Sequence, residues 1–324
     1  MMFTGVKRPL LAAAAISFLA LTTACTNTEG PAANAPASSN GAGGGAAGES
    51  AKSGQELAKA VQADPKVQEL VPAAIKAKGK MTLVTDPTYA PIDFTDETGK
   101  IVGLEPDMAL AVARKMGVEI TIEKGDFNGI IAGIEAKRYD ASWAAFSITE
   151  ERKAKVNMVS FMQGGTSVLV RKGNPLGINS ELDLCGKTVA AQTGTTQALD
   201  VLPDFDKKCV AAGKDKPTAL LLPQQDTVNQ SLAAGRAQAL VADNALTAYY
   251  AQLQPDAFTS VDSILVEPAL SGVVSTKNDG GLAKAFQTAI QSLMDDGTYA
   301  KIMEAWNLKS GIVEKAEVNP TVGS

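Results

Sequence analysis

The sequence predicts an α/β chain built of two modules, and three observations point there. From Lys80 to Leu308, short β-rich runs alternate with helical patterns, the order that builds mostly parallel sheets covered by helices. The chain has 324 residues, 45% of them hydrophobic, which is enough for real cores and long enough for two domains at about 150 residues each. Two runs, TSVLVRKG (166–173) and the segment near 262–272, leave one module and return to it, giving two β-strand crossings.

The N-terminus reads as an address. Lys7 and Arg8 precede a 12-residue apolar run, Leu10 to Leu21, and then the small residues Thr22, Thr23 and Ala24. This is the layout of a secretory signal peptide over 1–24, and the run is too short to span a bilayer core of about 30 Å as a helix. Cys25 follows directly, and the segment resembles a bacterial lipoprotein signal, in which that Cys is acylated, although Thr22 holds a place where such signals prefer Leu. An ordinary signal peptide with an incidental Cys is the other reading. Lys7 and Arg8 are the only charges before Cys25, so cleavage would take the net charge from −5 to −7. Residues 25–53 are mostly Gly, Ala, Ser, Asn and Pro with almost nothing to bury, the composition of a flexible tether.

The folded body starts near residue 54, and its elements follow in order. MTLVT (81–85) is a strand that ends in the polar turn DPTYAP, and 92–103 is a hairpin with Asp96, Glu97 and Gly99 at its turn. Apolar spacing places a helix over 107–117 that stops at Gly117; 118–125 alternates as a strand, 127–140 is a helix, 141–148 a strand and 149–156 a helix with acids in its first turn. After the first crossing come a strand at 187–194, a helix from TTQALDVL, a strand at 218–223 and a helix near 227–235. A strand at 237–243 and a helix at 244–253 follow. Beyond the second crossing, SGVVSTK (271–277) is a strand, and 281–297 and 299–308 are amphipathic helices.

Composition excludes several kinds of function. The chain has no His, which removes Ser–His–Asp and Cys–His nucleophile systems and His-ligated zinc. A mildly acidic chain with 5% aromatics lacks the basic face and stacking platforms of a nucleic-acid binder. No P-loop GxxxxGK[ST] occurs, so the chain does not hydrolyse ATP through that motif. Nothing calls for a metal or a cofactor. With Cys25 assigned to lipid, Cys185 and Cys209 are left either as a disulfide, which an exported location favours, or as two free buried thiols. A bridge across 24 residues would stabilise by roughly 3–4 kcal/mol on the chain-entropy model.

Seven stretches carry a family resemblance when taken in order: TDPTYAPIDF, GKIVGLEPDMALAVARKMG, DFNGIIAGIEAKRYDA, SITEERKAKV, LCGKTVAAQTGTTQ, LAAGRAQALVADN and DDGTYAKIMEAWNL. Over about 80–308 the chain resembles the extracytoplasmic solute-binding proteins of polar amino-acid ABC importers. The resemblance implies a two-lobed periplasmic-binding-protein-like fold of type II, with ligand held between the lobes. Lobe one would be 54–168 plus 270–324, and lobe two 169–269.

The resemblance also implies a site. A free amino acid carries a carboxylate and an ammonium, so its receptor needs a forked cation and an anion a few Å apart. Arg152 in SITEER matches the carboxylate-binding Arg; spacing alone favours a solvated helix-end residue beside Glu150 and Glu151. Ser147 matches the accompanying hydroxyl, and Ala144 and Ala145 stand where relatives often carry Ser or Gly, leaving only backbone to bind. Thr195 and Thr196 open a helix whose free N–H groups suit an anion, although a plain N-cap accounts for them too. Asp243 matches the acid that takes the α-ammonium, while on its own it reads as the cap of NALTAYY. Tyr89 and Phe127 match aromatics that sandwich the ligand side chain, with core packing as the other reading. Asp86 matches an acid that faces the far end of the ligand and suits a cationic or amide group, which leans toward Arg, Lys, ornithine or Gln. Glu105 and Gln192 are weaker candidates.

The implied function is capture of a polar amino acid by lobe closure and delivery to a membrane permease. The protein is expected to be a monomer, lipid-anchored at Cys25 on the outer face of the cell membrane. A cleft enzyme of the same fold (dehydratase or peptidoglycan-cleaving) and a ligand sensor for a receptor are the competing classes.

Overall fold

The structure, a computed structural model, describes residues 53–321. The expected signal peptide, Cys25 and the expected tether up to residue 52 lie outside the described residues. Residue 53, expected in the tether, already belongs to a helix, α1, over 53–60. Two further short helices, α2 (Pro65–Leu70) and α3 (Ala73–Lys78), precede the first strand. The sequence pattern gives no warning of them, because each of these two buries a single side chain, Val67 or Ile75. They belong to the body all the same: the Ser292 hydroxyl donates to Asp64 Oδ2 at 2.8 Å.

The first half of the body contains β1 (Lys80–Thr85), β2 (Thr88–Tyr89), β3 (Asp93–Thr95), β4 (Ile101–Val102), α4 (Leu104–Met116) and β5 (Glu119–Lys124). It continues with α5 (Phe127–Glu135), β6 (Ala141–Ser142) and α6 (Glu150–Lys155). Strand β7 (Val156–Arg171) leads into β8 (Thr188–Gln192), α7 (Leu202–Ala211), β9 (Thr218–Leu222), α8 (Gln225–Ala233), β10 (Ala239–Asp243) and α9 (Asn244–Leu253). Strand β11 (Phe258–Thr276) returns, and α10 (Leu282–Asp295) and α11 (Thr298–Ala305) follow.

One eight-stranded sheet, in the order β5-β1-β6-β11-β7-β10-β8-β9, runs through both halves. Its outer parts are parallel, β1 with β5 and β6, and β8 with β9 and β10. Its centre is antiparallel, and this qualifies the mostly parallel expectation. The expected crossings 166–173 and 262–272 are parts of two much longer strands, which pair from Phe258↔Arg171 to Thr276↔Val156. The pairing shifts register between Val266 and Ala269, opposite Gly164 and Gly165. At Gly165 a Cβ would lie 2.6 Å from the Val266 carbonyl oxygen, so only glycine allows the strands this close there.

Two further expectations need correction. Helix α4 begins at Leu104 rather than 107, with Pro106 in the first turn, where no amide hydrogen is needed. The expected strand 141–148 stops at Ser142, because Ala145 takes a left-handed φ of +51° that no ladder accommodates. The cysteines are paired: Cys185 and Cys209 form a disulfide with Cα atoms 5.6 Å apart, tying the segment before β8 to α7. Among the described residues no helix is long and apolar enough to cross a membrane.

Candidate functional site

The loops at the ends of β1, β8 and β10 converge with the N-termini of α5 and α6 on one cavity of about 340 Å³ including its mouth. That is near the lower end of the roughly 300–1,000 Å³ typical of small-molecule sites. Its lining includes Asp86, Tyr89, Phe127, Ala145, Ser147, Arg152, Gln192, Thr195, Thr196 and Asp243. Ala144 and Gln197 complete it, and Gln197 is the residue that sequence reasoning quoted in GTTQ without assigning to the site. Glu105 is not part of the lining.

Arg152 is not a solvated helix-end residue: it is 8% exposed. Its guanidinium donates to the Ser147 carbonyl at 2.8 Å and, across the cleft, to the Gly194 carbonyl at 3.0 Å. It lies over the rings of Phe146 (5.1 Å) and Phe127 (5.6 Å), which fix its plane. Gly194 sits at a left-handed φ of +82°, and a Cβ there would lie 2.5 Å from Asn128 Oδ1. Burial lowers the Arg152 pKa to about 10 against the pull of Asp243, so the group stays charged at neutral pH.

Asp243 precedes α9 but does not cap it with its side chain. The carboxylate instead accepts from Gln197 Nε2 at 2.8 Å, and Gln197 Nε2 also donates to Thr166 Oγ1 at 2.9 Å. The Asp243 N–H donates to the Tyr89 hydroxyl at 3.0 Å. Burial raises the Asp243 carboxyl to about 6, opposed by Gln197, Tyr89 and the Arg152 charge. None of the ion pairs among the described residues includes Arg152 or Asp243. The cation and the anion therefore face one cavity without neutralising each other by contact.

Asp86 has a different set of partners. It accepts from Gln192 Nε2 (2.7 Å), Thr88 Oγ1 (2.9 Å) and the Phe127 N–H (3.3 Å). Gln192 Nε2 also donates to the Pro223 carbonyl at 3.1 Å, so both amide hydrogens are used and its Oε1 remains as an acceptor. Burial raises the Asp86 pKa against these hydrogen bonds. Thr195 closes the turn after β8, donating to the Gln192 carbonyl at 2.7 Å and accepting from the Ala198 N–H at 3.3 Å; it is the capping residue. The Thr196 hydroxyl is left for the cleft, 3.3 Å from that of Ser147.

Behind this wall Glu105 is fully buried in the first turn of α4, and its Oε2 accepts the Ala145 N–H at 2.9 Å. A left-handed non-glycine costs on the order of 1–3 kcal/mol, and this bond helps to hold Ala145 in place. Glu105 thus shapes the pocket wall from behind. Its neighbour Asp93 has no partner for either oxygen among the described residues. Burial and the nearby Glu105 charge hold the Asp93 carboxyl well above the usual range, and burial raises Glu105 to about 7. Trp143 is core, packed on Phe161 and Phe286.

Residues 81–309 match the family described as bacterial extracellular solute-binding proteins, family 3. The chain belongs to this family. It is 30% identical over 255 residues to the arginine-binding protein ArgT of Corynebacterium glutamicum, covering 79% of this chain and 83% of that one. Among solved structures, it resembles an ancestral arginine-binding protein bound to arginine, with a TM-score of 0.64 and 32% identity, over 70% of this chain and 98% of that one. It also resembles the ancestral amino acid-binding protein AncCDT-1, a precursor of cyclohexadienyl dehydratase, with a TM-score of 0.65 and 30% identity, over 72% and 97%. The fold is accordingly the two-lobed α/β fold of a solute-binding protein, and solute capture is its function.

Proposed function

We propose that the protein captures a cationic amino acid, of the arginine, lysine or ornithine type, by closing two lobes around it and delivers it to an ABC-type importer. One observation carries the reading: among the described residues, the cavity is lined by a single cation, Arg152, and two acids, Asp243 and Asp86, each held by its own partners. A zwitterion offers its carboxylate to Arg152 and the Thr196 helix turn, and its ammonium to Asp243 and Ser147. That exchange leaves Asp86 and Gln192 Oε1 for a positive side chain, and the ligand restores neutrality. Tyr89 and Phe127 flank it.

The lobes of the proposal are 54–168 plus 270–324 and 169–269, with bending at the paired strands β7 and β11. Ligand touches both halves and favours the closed arrangement by its differential affinity. Contacts that already span the cleft, Arg152 to Gly194 and Asp243 to Tyr89, support this motion. Binding without turnover is the proposed activity. A lipid on Cys25 and the 25–53 tether would hold a monomeric receptor at the outer membrane face.

A thermal-shift screen of the twenty amino acids with ornithine and citrulline tests the reading, followed by calorimetry. Arginine, lysine or ornithine is expected to give the largest shift and glutamate none. A preference for a dicarboxylic or apolar amino acid would overturn the assignment of Asp86, and no response to any of them would overturn the whole reading.

A further inference from the structure

The family match ends at residue 309, yet the chain beyond it is built into the body. Val318 forms an antiparallel bridge with Val159, on the edge of β7 that β11 leaves free. The Ser160 N–H donates to the Glu317 carbonyl (3.0 Å), and the Glu317 N–H donates to the Ser160 hydroxyl (3.0 Å). Asn319, at a left-handed φ of 48°, grips Met158 at both backbone groups. Its own N–H donates to the Met158 carbonyl at 2.7 Å, and its Oδ1 accepts the Met158 N–H at 2.9 Å. Asn319 Nδ2 reaches Asn157 Oδ1 at 3.1 Å.

The same segment ends on the helix that carries the binding cation. Lys153, next to Arg152 in α6, donates to the carbonyl of the buried Pro320 at 2.6 Å and pairs with Glu150 at 2.7 Å. Helix α6 has only six residues, too few to be rigid alone. Upstream, the Tyr299 hydroxyl donates to the Phe161 carbonyl (2.7 Å) and accepts the Val313 N–H (3.0 Å). The tail thus bonds both to α6 and to the part of β7 that lies before Gly164 and Gly165.

We infer that residues 313–320 form a positioning segment for solute binding: they weld helix α6 to the base of strand β7, so that Arg152 enters the cleft already oriented. A carboxylate ligand then meets a guanidinium whose ordering has been completed beforehand, the condition under which a forked contact contributes most. The inference rests on the reading of Arg152 as the carboxylate partner.

The test uses the mature chain, a form ending at Val313, and the variants Asn319→Ala, Lys153→Met and Lys153→Arg. Calorimetry compares arginine with agmatine, which lacks the carboxylate, and hydrogen exchange follows residues 150–155. Truncation is expected to weaken arginine at least tenfold and agmatine less than threefold, with 150–155 losing protection while 239–243 keep theirs. Asn319→Ala and Lys153→Met should show the same pattern in smaller measure, and Lys153→Arg should stay near the parent. Equal weakening of both ligands would make the tail merely structural, and unchanged arginine affinity and exchange would overturn the proposal. If the truncated chain does not fold, the point variants decide. A parent chain that binds no arginine would instead defeat the cationic-ligand reading, and exchange over 150–155 would still judge the weld.

Discussion

The two sides of the cavity solve opposite problems. On one side, Arg152 and Asp243 are opposite charges kept from touching. Arg152 is bonded to two carbonyls and clasped by two rings, and Asp243 is bonded to Gln197. On the other side, Asp86 is a lone acid satisfied by neutral donors from both halves of the chain. The first side is suited to the invariant part of any amino acid. The second is suited to what differs among them, since neutral hydrogen bonds are easier to exchange for a charged one than the reverse. General affinity should therefore depend on the first side and selectivity on the second.

The sharpest way to break this division is Arg152→Ala. Losing one partner of a buried charge contact costs about 2–5 kcal/mol, or roughly 30- to several-thousand-fold in Kd. Every amino acid that binds should weaken alike, as measured by calorimetry. A loss confined to cationic ligands would place Arg152 on the selective side.

Asp243 gives a pH test of the same side. Its carboxyl is raised to about 6, so it is ionised above pH 7 and protonated in the free protein below 6. An incoming ammonium needs the carboxylate, so binding at low pH must expel a proton. Kd should be flat from pH 8 to 7 and then rise, approaching tenfold per pH unit below about 6. Asp243→Asn should bind more weakly throughout and lose that slope. A parent Kd that stays constant down to pH 5 would show that the ammonium is held elsewhere.

What the sequence conveyed well was this side chain chemistry at element ends. Arg152, Thr196 and Asp243 each sit where a strand or helix begins or stops, and short patterns such as SITEER and ALVADN mark those places. Three features were not legible. Gln197 lies one residue past the expected pair, at the start of a π-helical turn where it bonds Asp243, and a 3.6-residue period does not anticipate that turn. Glu105 is a weaker ligand candidate by sequence, yet its role is set by Ala145, whose left-handed backbone is not encoded by an ordinary Ala-Ala-Phe run. The expected crossings cover only part of each strand: β7 is buried along most of its length and lacks the alternation that defines strand ends, and β11 is interrupted by shifts in its pairing.

On the selective side, Asp86→Asn should reorder ligands rather than abolish binding. Arginine and lysine should each weaken by about 1.5–3 kcal/mol, roughly 10- to 150-fold, the worth of a hydrogen bond to a charged group. Glutamine should lose much less, since an amide can pair with Asn or Asp. Competition calorimetry on the three ligands checks this, and uniform weakening would erase the distinction between the two sides.

The smallest effect is expected where the two sides meet. Tyr89 offers its ring to the cavity and its hydroxyl to the Asp243 N–H on the opposite half, so Tyr89→Phe removes the bridge and keeps the ring. One neutral hydrogen bond contributes about 0.5–1.5 kcal/mol, or roughly 2- to 12-fold. The bond spans the cleft, so it exists only once the halves have met. Its loss should therefore appear in the dissociation rate while association stays within about twofold. Stopped-flow fluorescence of parent and variant separates the two rates. A change in association with dissociation untouched would mean that Tyr89 acts before closure, as part of the open half-site, and would move it from the clasp to the first encounter with ligand.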